Sequence, residues 1–174
     1  IGTDTFQICQ GQYTIFESLY PASTYNWNFN GAVINPGSVK QTPAQQFNTP
    51  GLFPITLNLT TDCCGLGPTE TIYLLVTRNP TATGSGGVSI CSGQSTTLTL
   101  SGLTATDSVV WSPSFNIMSS TNNSITVKPT STTTYIASIY SKNTLGSRTL
   151  INCPISISFP LTVNSNPVIN LLAT

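Results

Sequence analysis

The sequence states one short phrase twice, as Ile8-Cys9-Gln10-Gly11-Gln12 and again as Ile90-Cys91-Ser92-Gly93-Gln94. The two cysteines are 82 residues apart (91 − 9). In each copy an apolar residue precedes Cys-x-Gly-Gln, and a run rich in β-branched and aromatic residues follows, which is typical of strand, tight turn and strand. Since this spacing is the size of a small β-sandwich, a chain of 174 residues is predicted to hold two domains.

The predicted boundaries follow from a second repeated phrase. Asn79-Pro80 after the first domain recurs as Asn166-Pro167 after the second. The expected division is therefore 1–79, 80–167, and 168–174 as a linker or the start of a following repeat. Proline fixes φ and lacks an N–H donor, so each join is expected to be short and stiff.

The hydrophobic pattern predicts an all-β chain. Polar and apolar residues alternate along Tyr25–Phe29 and Ile55–Thr60 in the first half, and Thr132–Tyr140 in the second half corresponds to the run that begins at Phe53. No stretch has a helical period. The predicted fold is two tandem β-sandwiches joined by a short linker that contains proline.

Composition excludes several classes of function. Charged residues make up 6% of the chain, the net charge is zero, and the five Lys and Arg are scattered singly. Nucleic-acid binding is not expected, because it depends on clustered cations. No apolar run is long enough to span a membrane and no signal peptide is present, so we expect a piece of a longer protein without membrane insertion.

The five cysteines predict disulfides and an oxidising compartment, since no histidine is present and no short Cys-x-x-Cys spacing suggests zinc. Within the second domain Cys91 is expected to pair with Cys153, a bond worth roughly 4 kcal/mol in the chain-entropy treatment. In the first domain Cys9 is expected to pair with Cys63, or with Cys64 in its place. The remaining cysteine is left open as a vicinal bond, an intermolecular bond or a free thiol.

Two family resemblances cover most of the chain. The first half, with Tyr25-Asn26-Trp27-Asn28-Phe29-Asn30-Gly31 and Phe47–Leu57, resembles a PKD domain. Asn28 and Asn30 stand where that family usually has acids, so the resemblance does not imply the family's calcium site.

The second half resembles the immunoglobulin-like repeats of very large secreted surface proteins of gliding bacteria. The matching residues are Cys91–Gln94, Val110–Pro113 and Pro129–Tyr135. The resemblance implies a stalk or filament segment of an adhesin exported by the type IX system and placed outside the bacterial cell. Its partners would be neighbouring repeats of the same chain, surface polysaccharide or other cell-surface proteins. Asp107-Ser108-Val109 resembles an O-glycosylation motif of that bacterial group, which makes Ser108 a candidate modification site.

The aromatic residues allow a structural and a binding interpretation. Trp27, Trp111 and Tyr135 are predicted core anchors, and Tyr135 could form a tyrosine corner. The alternative function, a carbohydrate-binding accessory module of a secreted hydrolase, needs exposed aromatics on one face; its candidates are Tyr13, Tyr20, Tyr25 and Phe115.

The sequence predicts no enzyme and no cofactor. A Ser-His-Asp triad is impossible without histidine, and the five acids have no close spacing in the sequence. No Gly-rich phosphate loop is present. The predicted function is therefore non-enzymatic.

Overall fold

A computed structural model describes residues 5–30, 37–141, 144–145, 148–149 and 153–167. Every regular element in these ranges is a β-strand, which confirms the all-β prediction. The strands are β1 (Thr5–Cys9), β2 (Tyr13–Thr14), β3 (Thr24–Phe29), β4 (Gln45–Gln46), β5 (Gly51–Thr61), β6 (Gly65–Thr77), β7 (Thr83–Gly86), β8 (Ser89–Cys91), β9 (Thr96–Ser101), β10 (Asp107–Ser112), β11 (Ile117–Ser120), β12 (Ser124–Val127), β13 (Thr133–Ser141), β14 (Thr144–Leu145), β15 (Arg148–Thr149) and β16 (Cys153–Asn164).

The chain divides into two compact units. The first unit contains Ile1–Asn79 and Asn143–Cys153, and the second contains Pro80–Lys142 and Pro154–Thr174. The predicted domains, 1–79 and 80–167, differ from this division in the segment Asn143–Cys153. The predicted linker or following repeat at 168–174 lies outside the described residues.

The first unit is built on a four-stranded sheet in the order β1-β6-β5-β3. The hairpin of β5 and β6 supplies its two long central strands, while β1 joins β6 in parallel. Phe47, Ile55, Leu74 and Val76 are fully buried against this sheet. The alternation along β5 therefore places one side of the strand in a core, as its period of two requires.

The second unit is a sandwich of two four-stranded sheets, ordered β10-β13-β16-β8 and β11-β12-β9-β7. Alternate residues of β13, namely Tyr135, Ala137 and Ile139, have no exposed surface. They share one core with Leu98 and Val127 of the other sheet. Burying these side chains removes about 1.5–3 kcal/mol of apolar hydration cost for each large residue.

The three predicted core anchors are placed as follows. Trp27 is half-buried, packs against Phe16 and Phe29, and donates its indole N–H to the Val39 carbonyl at 2.8 Å. Trp111 is half-buried against Phe159, with ring centroids 5.5 Å apart.

Tyr135 is the largest fully buried side chain of the second unit. Its hydroxyl donates to the Phe115 carbonyl at 3.4 Å, 20 residues earlier in the sequence. Burial raises the pKa of this phenol above its usual 10.0, because the phenolate would lose its hydration.

We expect stability to become sensitive to alkali through Tyr135. Its raised pKa favours the neutral phenol in the folded chain. Above about pH 10, Tyr135 therefore ionises only in the unfolded chain, and the free energy of unfolding falls by up to about 1.4 kcal/mol per pH unit. This loss continues until the pH reaches the folded pKa. Tyr135→Phe should cost about 1 kcal/mol at neutral pH through the missing hydrogen bond and should lack the alkaline loss. Urea unfolding across this pH range measures both effects; Tyr13→Phe, at an exposed position, should keep the wild-type profile.

The structure corrects the predicted disulfides. Cys9 is bonded to Cys153, with a Cα–Cα distance of 5.7 Å, whereas Cys63, Cys64 and Cys91 are exposed free thiols. The pairing of Cys91 with Cys153 was wrong, and so was that of Cys9 with Cys63 or Cys64. Both predictions assumed that each domain closes its own bond, but the segment that ends at Cys153 belongs to the first unit.

Candidate functional site

Both copies of Cys-x-Gly-Gln form the same turn. The backbone N–H of Gln12 donates to the carbonyl of Cys9 at 3.0 Å, and Gln94 donates to Cys91 at 3.0 Å. The glycine of each copy has a positive φ, 82° at Gly11 and 86° at Gly93. Glycine is needed here because the third residue of a type II turn lies in the left-handed region.

Each turn follows a strand that pairs in parallel with the last strand of its repeat. Cys9 lies opposite Thr77, and Cys91 lies opposite Asn164. The next residue continues the ladder in both copies, since the N–H of Gln10 donates to Thr77 and that of Ser92 to Asn164, each at 2.8 Å. The same backbone arrangement is therefore built twice.

The Asn-Pro phrase belongs to the same structure. The side-chain amide of Asn79 donates to the carbonyl of Gln10 at 3.0 Å, and that of Asn166 donates to Ser92 at 3.2 Å. We use the name end clasp for the Cys-x-Gly-Gln turn together with this asparagine. Each end clasp fixes the chain two residues past the last ladder pair, where the chain leaves its repeat.

Replacing the clasp glycine should destabilise the second unit by about 1–2 kcal/mol, the cost of a left-handed backbone for a residue with a Cβ. A Cβ at Gly93 would have no atom within 4 Å, so Gly93→Ala tests the backbone alone. Gly93→Asn should lose less, because asparagine tolerates this region. Urea unfolding measures both; equal stability of the alanine variant and the wild type would contradict the assignment.

The two clasp cysteines differ in their bonding. Cys9 is bonded to Cys153, while Cys91, at the equivalent position, is an exposed thiol. A buried free cysteine is usually inert, but an exposed one is available for exchange.

Two further thiols lie side by side at the β5–β6 turn. The Sγ atoms of Cys63 and Cys64 are 3.1 Å apart, and Cys63 Sγ lies 3.7 Å from the Thr61 hydroxyl. The hydrogen bond with Cys64, followed by that with Thr61, lowers the pKa of the Cys63 thiol below its usual 9.0. Cys63 is thus an exposed thiol with an adjacent second thiol, which favours thiol–disulfide exchange.

An open apolar groove of about 580 Å³ lies beside this turn in the first unit. Its lining includes Leu57, Leu59, Leu66 and Tyr20, and Cys64 stands among the same residues. This groove was not predicted from the sequence, because alternating apolar residues on one face of β5 are equally typical of a buried core.

The groove also contains two carboxylates, Glu17 and Glu70. Both are exposed, and Glu17 forms an ion pair with Lys40 at 3.6 Å. Neither has the apolar enclosure that sets apart the acid of a glycoside hydrolase pair. Among the described residues, no group of three or more Cys, Asp or Glu side chains could hold a metal ion.

The four candidate glycan contacts differ in exposure and in the unit to which they belong. Tyr25 is buried and its hydroxyl accepts the N–H of Ala22 at 2.9 Å. Tyr13 and Tyr20 are exposed in the first unit, but only Tyr20 lines the groove. Phe115 is exposed in the second unit.

Ser108, the candidate modification site, lies in β10 at the edge of its sheet and is half-buried. It is paired with Tyr140 of β13. The preceding Asp107 is buried and engaged in hydrogen bonds, which gives that acid a structural role apart from any modification.

No protein-family model matches the chain, and no curated protein matches it. Among solved structures, murine CEACAM1b is similar over 91% of this chain and 96% of its own, with 13% identity and a TM-score of 0.40. The amphioxus IgVJ-C2 molecule is similar over 88% of this chain and 99% of its own, with 17% identity and a TM-score of 0.34. Domains 4 and 5 of the S-layer protein SbsC are similar over 86% of this chain and 78% of their own, with 18% identity and a TM-score of 0.26. These likenesses carry no argument about function.

The described part of the chain holds no helix with the length and apolar character needed to cross a membrane.

Proposed function

We propose that this chain is a non-enzymatic structural segment of a large secreted surface protein. The observation that supports this most strongly is the end clasp, which is built twice with the same turn, the same parallel pairing and the same asparagine. The end clasp fixes the backbone just beyond the last strand of each repeat and supplies no reactive group. Such a feature suits a chain of consecutive repeats, because it sets the position at which the next repeat begins. The cystine fits an oxidising, extracellular location.

In its finer form the proposal is a PKD-like module followed by an immunoglobulin-like module in the stalk of a bacterial adhesin. The setting would be gliding motility or surface attachment after type IX export. Its partners would be neighbouring repeats, and at the cell surface polysaccharide or other proteins. The residue resemblances of both halves support this form, and so does the scarcity of charge.

Two experiments test the proposal. Sequencing the gene on both sides should reveal further copies of Cys-x-Gly-Gln, each followed at a similar spacing by Asn-Pro. Antibodies against the chain should label intact producing cells without permeabilisation. A gene that encodes only these two units, or labelling that requires permeabilised cells, would contradict the proposal.

One observation favours the second candidate, a carbohydrate-binding accessory module. Tyr20 is exposed and lines the groove together with Trp27, and aromatic faces can stack on sugar rings. However, the Trp27 indole is occupied by Phe16, Phe29 and the Val39 carbonyl.

On a glycan array we expect no sugar to retain the chain, because the groove offers few polar groups beside its apolar walls. Tyr20→Ala tests this directly, and Tyr13→Ala, at an exposed position off the groove, is the matched control. Binding that Tyr20→Ala abolished and Tyr13→Ala preserved would favour the carbohydrate-binding function instead.

A further inference from the structure

We propose that Cys91 is the acceptor of an inter-repeat disulfide, formed with a cysteine at the start of the last strand of a following repeat. This inference rests on the proposed function, because it requires that the repeat be part of an array. The Cys9–Cys153 bond is the observed example of the same linkage.

The first step is that Cys9 and Cys91 are equivalent residues. Each ends a strand paired in parallel with its repeat's last strand, and each accepts the N–H of a glutamine three residues later at 3.0 Å. Each is followed by a residue whose carbonyl accepts the clasp asparagine. The two positions thus share their backbone neighbours but not their bonding.

The second step concerns the origin of the partner of Cys9. Cys153 is the first residue of β16, and from Pro154 onward that strand belongs to the second unit. The segment Asn143–Cys153 lies between β13 and Pro154 in the sequence and belongs to the first unit. The clasp cysteine of one repeat is therefore bonded to the cysteine that begins the last strand of the next repeat.

The third step is that the first repeat, like the second, has cysteines close to the start of its last strand. Its last strand is β6, which begins at Gly65, directly after Cys63 and Cys64. Both thiols are exposed, and hydrogen bonds with Cys64 and Thr61 lower the pKa of the Cys63 thiol. In this scheme Cys91 is bonded to a cysteine of the following repeat, and Cys63 or Cys64 is bonded to the clasp cysteine of a preceding repeat.

The scheme accounts for three exposed thiols in a protein whose other two cysteines are bonded. An unpaired cysteine in a secreted chain indicates either a bond to another segment or a reactive thiol. Forming each bond removes two protons and two electrons from two thiols. A low-molecular-weight disulfide such as oxidised glutathione accepts them and is cleaved to two thiols.

The test uses the chain extended so that Asn166 is followed by a second copy of residues 80–174. This added copy offers Cys91 a cysteine in the context in which Cys9 finds Cys153. After folding in a glutathione redox buffer, free thiols are alkylated and the unreduced digest is analysed by mass spectrometry. We expect Cys91 to be bonded to the added copy of Cys153, and its alkylation to fall from nearly complete in the original chain to nearly absent.

The control is Cys91→Ser in the extended chain, which should leave the added Cys153 open to alkylation. Formation of the Cys9–Cys153 bond in the same sample shows that the parent units have folded. A Cys91 that is still alkylated, or bonded to Cys63 or Cys64, would overturn the proposal. That result would leave the structural-segment function standing, since cell-surface labelling tests it separately.

If the extended chain does not fold, the chain as it stands decides the question with a peptide of residues 143–153 as the probe. In the redox buffer the peptide thiol should be captured at Cys91 in preference to Cys63 and Cys64. Capture that is equal at all three thiols, or greater at Cys63 or Cys64, would reject the assignment.

Discussion

Pulled by its two ends, the oxidised chain is expected to extend about 500 Å less than the reduced chain. The disulfide joins residues 144 apart in sequence, so force that enters through β1 crosses from Cys9 to Cys153 and leaves along β16. The residues between them cannot be drawn out into an extended chain while the bond is intact. At roughly 3.5 Å per extended residue, the shielded segment contributes about 500 Å of length.

Force–extension measurements with handles at both termini, with and without reductant, test this directly. Cys9→Ser and Cys153→Ser should each behave like the reduced wild type under all conditions. Cys91→Ser is the matched control, because it removes an exposed thiol and leaves the bond, and it should keep the short extension. Equal extension in oxidising and reducing buffer would contradict the expected force path.

The same bond should dominate thermodynamic stability. For a sequence separation of 144, the chain-entropy treatment gives about 5 kcal/mol from restriction of the unfolded chain. This is comparable with the entire stability of a small domain. The chain is therefore expected to resist extension and unfolding more strongly where the environment is oxidising.

The sequence predicted the fold because its signals are local. Alternation along Ile55–Thr60 reports one buried face of a strand, and β5 is found there. Thr132–Tyr140, rich in β-branched and aromatic residues, corresponds to that run in the second repeat, and β13 is found there. The turn at each Cys-x-Gly-Gln phrase was predicted for the same reason. It depends on a glycine with positive φ and on a hydrogen bond from the glutamine N–H to the cysteine carbonyl, all within four consecutive residues.

The disulfide could not be predicted in the same way. Its partner is chosen by where the segment Asn143–Cys153 lies, and five cysteines allow many pairings. One signal was present: in the sequence the dipeptide Gly146-Ser147 separates Leu145 from Arg148, two residues of antiparallel strands. Such a dipeptide between short strands predicts a tight turn, which would have indicated a further element before Cys153.

The role of asparagine in the end clasp was likewise hidden. Asn79 and Asn166 were visible as a repeated join, but their amides act on carbonyls 69 and 74 residues away. The repetition indicated that both phrases are structural, whereas the contact between them depends on the fold.

Asp107 is the residue whose loss should cost the second unit most among its polar side chains. It is 5% exposed, and its Oδ2 accepts both the backbone N–H of Thr104 at 2.8 Å and the Thr104 hydroxyl at 3.0 Å. Its Oδ1 accepts the hydroxyl of Ser141 at 3.3 Å, and that serine is itself buried. The carboxylate therefore connects the turn before β10 to the end of β13.

Asp107→Ala should lower the free energy of unfolding by about 3 kcal/mol, because it removes charge-assisted hydrogen bonds and leaves the buried Ser141 hydroxyl without this acceptor. Asp107→Asn keeps an oxygen for Thr104 and should lose about 1 kcal/mol. Asp62→Ala is the matched control: that acid is exposed, accepts a hydrogen bond from Ser23, and should change stability by no more than about 0.5 kcal/mol.

Ser108→Ala separates this structural role from the candidate modification. If the Asp-Ser-Val phrase were retained only as a glycosylation signal, Asp107→Ala and Ser108→Ala would have the same small effect on the unmodified protein. We expect them to differ by about 2–3 kcal/mol, since Ser108 is half-buried and the hydrogen bonds belong to Asp107. Urea unfolding of unmodified protein measures the difference, and equal midpoints for the two variants would show that Asp107 does not hold the turn.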